Sequence, residues 1–177
     1  MFNVHPQADE YAPYYGNYIR RVPQGADLFA LLERQPADLR SLLKNVTDRQ
    51  AGVRPAPGEW SIKEVIGHMC DAERIFAYRA LSISRGDKSA FPGFEQDDYV
   101  KATNFNARAL ADLIDEFLYQ RRANVLYFRG ISEAELNQRG TASDKTFSTR
   151  ALLYAMAGHA DHHFESLRVD YRVDDEE

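Results

Sequence analysis

The chain has 177 residues, the size of one domain and enough to bury a core without help from disulfides. Its 22 basic and 27 acidic residues leave a formal charge of −5, which lacks the basic surplus of a dedicated nucleic-acid binder. A single cysteine, Cys70, excludes an intramolecular disulfide, and no apolar run approaches the ~18 residues that a membrane span needs. The opening MFNVHPQADE has no basic segment followed by an apolar core, so the expected setting is cytoplasmic, with no membrane or nucleic-acid partner.

From Met1 to Gln24 the chain carries Pro6, Pro13 and Pro23 among the tyrosines Tyr11, Tyr14, Tyr15 and Tyr18. The prolines forbid a long helix there, and residues 1–24 are expected to form an arm with one helical turn. From Ala26 to about Val46, Leu28, Leu31, Leu32, Leu39, Leu42, Leu43 and Val46 recur at three and four, one face of a first helix that Pro36 kinks or splits. A Pro/Gly-rich loop from Arg54 to Trp60 ends at Ser61, which forms a capping-box pattern with Glu64 and starts a second helix. That helix carries Ile62, Val65, Ile66, Met69, Ile75, Phe76 and Leu81 inward and ends near Arg85, with Gly86 as its left-handed cap.

Gly86 to Thr103 is a long connection with Pro92, Gly93 and the acidic trio Glu95, Asp97 and Asp98. A third helix is predicted from about Phe105 to Phe128, with Leu110, Leu113, Ile114, Phe117, Leu118 and Val125 inward and Gly130 as its stop. Ser132 and Glu135 give one short turn, Arg139 to Lys145 reads as loop, and Ser148 caps a fourth helix reaching about Tyr171. Asp174 to Glu177 reads as a frayed acidic end. No run has the alternation and β-branched enrichment of a strand, and no internal repeat is found.

Four long amphipathic helices imply an all-α, antiparallel four-helix bundle. The roughly eighteen residues between helices two and three can span about 37 Å of helix, so a crossover that sets those two helices parallel is open. The expected division is an arm at 1–24, a bundle at 25–172 and a tail at 173–177.

Four of the five histidines, His68, His159, His162 and His163, fall where an amphipathic helix is apolar or nearly so. His159 and His163 stand about 40° apart on the helical wheel and about 6 Å apart along the axis, on the stripe of Leu152, Met156 and Leu167. His68 shares its stripe with Val65, Ala72 and Ile75, so the three rings face one core. Three inward imidazoles suit Zn²⁺, Ni²⁺ or Fe²⁺ and leave a coordination position open. The plainer reading of a single inward histidine is a core residue hydrogen-bonded to a carbonyl.

The wheel turns Asp161, Glu165 and Cys70 about 120–200° away from that centre. His162, about 60° from His159, is a boundary position or a substrate-facing group. Asp71 and Glu64 lie about 60° and 40° from His68, close enough to hold a ligand ring proton or take a proton from water, although Glu64 also fits the cap. Ala160 occupies the place where HExxH needs its glutamate, which disfavours a zinc peptidase. Arg20-Arg21 and Arg121-Arg122 read as solvated faces. Phe91, Phe94 and Tyr99 are expected either to line a pocket above the open metal position or to cover the bundle end, and the tyrosine cluster to serve that pocket or a dimer interface.

Three blocks, Glu59-Trp-Ser-Ile-Lys-Glu-Val-Ile-Gly-His68, Phe91-Pro-Gly-Phe-Glu-Gln-Asp-Asp-Tyr99 and Gly158-His-Ala-Asp-His-His163, resemble in order and separation the DinB/YfiT-like superfamily of metalloenzymes, over residues 25–172. The resemblance implies an up-down-down-up four-helix bundle with a long crossover between helices two and three. It implies a divalent metal, nickel or zinc first with iron or manganese as alternatives, on His68, His159 and His163. It further implies a metal-dependent transferase using a low-molecular-weight thiol such as bacillithiol or mycothiol on a small-molecule substrate, and a homodimer. A hydrolase that activates water, with Asp71 or Glu64 as proton acceptor, and a non-catalytic metal-binding stress or interaction module are the competing readings.

Overall fold

The computed structural model describes residues 3–173. Two 3-10 turns, Ala8–Glu10 and Pro13–Tyr15, lead into α1 (Gly16–Ile19), followed by the long helix α2 (Leu28–Leu42) and the short α3 (Asp48–Ala51). Next come α4 (Ile62–Ser84), β1 (Ala90–Phe91), α5 (Gln96–Ala102) and a 3-10 turn at Phe105–Ala107. α6 (Leu110–Arg129), α7 (Glu133–Leu136), the hairpin β2 (Arg139–Ala142) and β3 (Lys145–Ser148), and α8 (Thr149–Val169) complete the chain.

The long helices begin where an oxygen takes the free amides of the first turn. The Asp27 carboxylate accepts from Phe29 and Ala30, and Ser148 accepts from Ala151. Ser61 and Glu64 cap each other reciprocally, as the sequence pattern predicts. α6 has no local cap. Its first amide, at Leu110, donates instead to Asp48 Oδ1 at 2.7 Å, from α3. The expected start near Phe105 is therefore corrected: Phe105 lies in a separate turn, and a cap supplied 62 residues away sets the boundary.

Ion pairs and hydrogen bonds fix the helix directions. Cys70 Sγ donates to the Leu113 carbonyl, Glu73 meets Arg121 and Ser84 meets Tyr127, so α4 and α6 run parallel. Glu33 pairs with Arg129 and Arg40 with Asp115, so α2 runs against α6. His68, near the start of α4, faces His163 on the later half of α8, while Ile83 near its end packs under Gly140 of the hairpin that feeds α8. The four-helix bundle is thus up-down-down-up, and the crossover carries β1 and α5.

Apolar residues form two clusters stacked along the bundle, one around Leu28, Phe76, Phe128 and Leu153, the other around Leu39, Ile66, Phe117 and Phe164. Each long helix places buried polar residues where its stripe passes from one cluster to the other. These are Gln35 on α2, His68 and Glu73 on α4, Arg121 on α6 and His159 on α8.

Several sequence expectations change. The arm makes three short helical turns and is part of the core, with Ile19 and Val22 buried and α1 packed on α8. Residues 139–145, read as loop, begin a hairpin whose two-residue turn, Ser143-Asp144, has φ of 51° and 58°. β1 joins β2 in parallel to complete a three-stranded sheet. Its strands are two to four residues long, too short for alternation to register. α2 continues through Pro36 and stops at Leu42. Leu81 is exposed and Ile83 takes the inward place. Arg121, read as solvated, is fully buried against Glu73, as described below. No helix of the described residues is long and apolar enough to cross a membrane. The acidic end at 174–177 lies outside the described residues.

Candidate metal centre

A glycine precedes each of two of the histidines and lets a neighbouring segment close on its helix, the 3-10 turn at Phe105 on α4 and the arm at Tyr18 on α8. An ideal Cβ on Gly67 would fall 2.3 Å from the Phe105 ring, and one on Gly158 would fall 1.9 Å from the Tyr18 carbonyl oxygen. The next residues, His68 and His159, then bring their Nε2 atoms to 3.0 Å. His163, one turn beyond His159, adds a third Nε2 at 3.1 Å from that of His159. One ligand atom from each of the three histidines falls within 4.8 Å of the others, as the spacing predicts.

Burial sets the charge state of this group. Desolvation, with help from His162, pushes His68 down to about 4. Burial first and neighbouring histidines second push His159 and His163 well below the ordinary histidine value. The rings are therefore neutral near pH 7, with lone pairs available. Nitrogens held 2.0–2.1 Å from a tetrahedral Zn²⁺ stand roughly 3.3 Å apart, so the observed spacing fits a divalent ion. All three ligands are uncharged, which leaves such an ion its full positive charge. His68 Nδ1 is buried without a hydrogen-bond partner among the described residues.

Aromatic rings close the centre. Trp60 lies 5.0 Å from His68, Tyr18 5.3 Å from His159 and Phe76 5.6 Å from His159, centroid to centroid. A cavity of about 370 Å³ opens over His68 and His159, walled by Tyr14, Tyr15, Tyr18, Phe76 and Phe94 and edged by Glu95 and Asp97. The long crossover therefore supplies one wall, as expected of Phe94. Tyr99 and Phe91 belong to a different cavity.

The two carboxylates singled out on α4 are engaged elsewhere. Glu64 accepts from the Ser61 amide and Arg54, which overcome the upward push of burial and leave its carboxyl below the ordinary value. Asp71 stands 4.0 Å from Arg74, and burial raises its pKa. His162 is half-buried between Tyr18 and His163, at 5.6 and 5.0 Å. Cys70 points toward α6, while Asp161 and Glu165 both pair with Arg21. Trp60 went unassigned in the sequence because its position before a cap gave no wheel angle. Glu95 and Asp97 were visible only as an acidic trio.

A family model described as the DinB superfamily matches residues 31–167. No curated protein matches the sequence. Among solved structures, one that matches is YfiT from Bacillus subtilis, described as "a probable metal-dependent hydrolase with an unusual four-helix bundle topology". The alignment has a TM-score of 0.72 and 15% identity, covering 92% of this chain and 94% of that one. Common architecture at that identity is a likeness of fold. The family match over most of the sequence, together with the three-histidine centre in such a bundle, means that this chain belongs to the DinB superfamily.

Proposed function

We propose that this protein is a divalent-metal enzyme in which His68, His159 and His163 hold the ion and a low-molecular-weight thiol is transferred to a small electrophile. The observation that carries the reading is the convergence of three neutral Nε2 atoms, with His68 and His159 at the floor of an aromatic-walled cavity. A bound divalent ion supplies Lewis acidity that lowers the pKa of a thiol or water. The protein's own residues do the rest. Tyr14, Tyr15, Tyr18, Phe76 and Phe94 exclude water and seat an apolar substrate body. Glu95 and Asp97 at the cavity edge receive the thiol proton, ahead of Asp71 and Glu64, which face Arg74 and the helix cap. Buried Cys70, turned to Leu113, supplies no nucleophile.

Hydrolysis is the second reading, favoured by the same two carboxylates, which suit proton abstraction from water. The experiment begins with elemental analysis of the natural chain beside an H68A/H159A/H163A variant. Near-stoichiometric metal in the first and none in the second supports the centre, and no metal uptake by either overturns it. Rates with bacillithiol, mycothiol or glutathione and a model electrophile then separate the chemistries. Metal-dependent thiol consumption supports transfer. Ester or amide turnover without thiol, lost in E95Q/D97N, replaces transfer with hydrolysis.

A further inference from the structure

Arg79 is the anomaly among the buried charges. Lys63 is matched by Asp48, Arg121 by Glu73 and the buried Glu10 by Arg150. Arg79 is just as buried, at 2% exposure, yet forms no ion pair among the described residues. Its Nη2 donates to two neutral oxygens, the Pro92 carbonyl at 2.6 Å and Ser143 Oγ at 3.5 Å, and its Nη1 has no hydrogen-bond partner among the described residues. A guanidinium is always charged, and leaving one buried without an anion is strongly unfavourable. The Tyr15 hydroxyl beside it, raised by burial and pulled back by Arg79, remains neutral and supplies no counter-charge.

Arg79 also lines a cavity of about 290 Å³, whose other walls include Ile75, Phe91, Phe94 and Tyr99. Arg74 stands in the same cavity but is already paired with Glu116. The cavity therefore has flat apolar walls and one uncompensated cation. From these features we propose that it binds a small organic carboxylate, with Arg79 neutralising the carboxylate and Phe91, Phe94 and Tyr99 holding its apolar body. Wheel position supports two separate sites on one face of α4: Arg79 is eleven residues after His68, about 20° round and roughly 16 Å along the axis. Phe94 is the shared wall between them, since it also stacks at 6.5 Å on His68.

The probe is phenylacetate, titrated calorimetrically beside phenylacetamide and inorganic phosphate, into the natural chain and into H68A/H159A/H163A. Saturable binding of phenylacetate, at least tenfold tighter than either control and retained in the triple-histidine variant, is the expected result. R79Q is expected to weaken it at least tenfold. Y99W, which narrows the cavity and leaves Arg79 intact, is expected to weaken it as well and serves if R79Q does not fold. Equal binding of the amide or of phosphate, loss of binding in the triple-histidine variant, unchanged binding in either cavity variant, or no saturable binding overturns the proposal. Arg79 is then a staple between the crossover and the hairpin. Because the triple-histidine variant lacks the candidate ligands, this outcome is read independently of the metal-enzyme proposal.

Discussion

The carbonyl oxygen of Tyr18 occupies the space that a side chain on Gly158 would need: an ideal Cβ there would lie 1.9 Å from it. The obstacle is backbone on both sides, so no rotamer change relieves it. G158A is therefore expected to push α1 away from α8 and to move Tyr18 off His159. Overpacking of this kind costs about 3 kcal/mol, which in a chain of this length lowers Tm by roughly 6–12 °C. Thermal denaturation of the metal-free protein checks it. A second readout is the loss of quenching or shift of a probe on the arm. A Tm within a degree of the natural chain would mean that the arm is not seated on α8 in solution.

Glu10 gives the same arm a pH dependence. Burial pushes its carboxyl up, but Arg150, the Gln7 amide and Ser148 pull it further down, to below the ordinary glutamate value of 4.5. A carboxylate depressed in the folded state contributes stability above its unfolded pKa and loses it as pH falls through the folded value. Urea denaturation is expected to show the natural chain weakening between about pH 5 and pH 3 more steeply than E10Q. At pH 7, E10Q is expected to be about 2 kcal/mol less stable, the scale of hydrogen bonds to a charged group. Parallel pH profiles for the two proteins would assign the acid loss to other carboxylates.

The inward histidines and the long helices were legible because each depends on spacing within one helix: His159 to His163 is one turn of α8, and Leu28 to Leu32 to Leu39 follows one stripe of α2. What escaped depended on partners far along the chain. Arg121 looks solvated beside Arg122 until Glu73 arrives from α4 to pair with it, 48 residues away. The start of α6 is set by Asp48 and the depth of the arm by Gly158, neither of which marks its partner in sequence. The hairpin at 139–148 has strands too short for a period of two to be read, and a Ser-Asp turn in place of the usual Asn-Gly. Glu64 fits two roles on the wheel, and only the position of Arg54 decides between them.

Cys70 tests the view that no protein thiol takes part. Burial pushes its pKa up, and its sulfur donates to the Leu113 carbonyl at 3.6 Å, on the α6 side of α4. Thiolate is the reactive form, so the native protein is expected to leave Cys70 unlabelled by a disulfide reagent at pH 8, with one equivalent reacting after denaturation. C70A is expected to retain the metal content and any turnover of the natural chain. Rapid labelling of the folded protein, or loss of metal in C70A, would place the sulfur in the working centre.

The pair Glu73–Arg121 sits in the polar layer that separates the two apolar clusters, and its removal tests how that layer holds α8. Arg121 donates Nε and Nη2 to the two Glu73 oxygens at 2.7 and 2.8 Å, and it also reaches Gln35. Gln35 in turn donates to the Ala157 carbonyl at 2.7 Å, two residues before His159. R121A leaves a buried carboxylate without its cation, which costs about 3–5 kcal/mol. Replacing both charges, as in E73L/R121M, leaves no bare ion and is expected to recover at least half of that loss, because apolar packing substitutes for a desolvated pair. Urea denaturation of the single and double variants measures both quantities. Metal titration supplies the further readout: R121A is expected to weaken binding, since the α8 backbone ahead of His159 loses its anchor through Gln35. If R121A costs less than about 1 kcal/mol, or if the double variant is no more stable than the single one, the layer is not held by this pair.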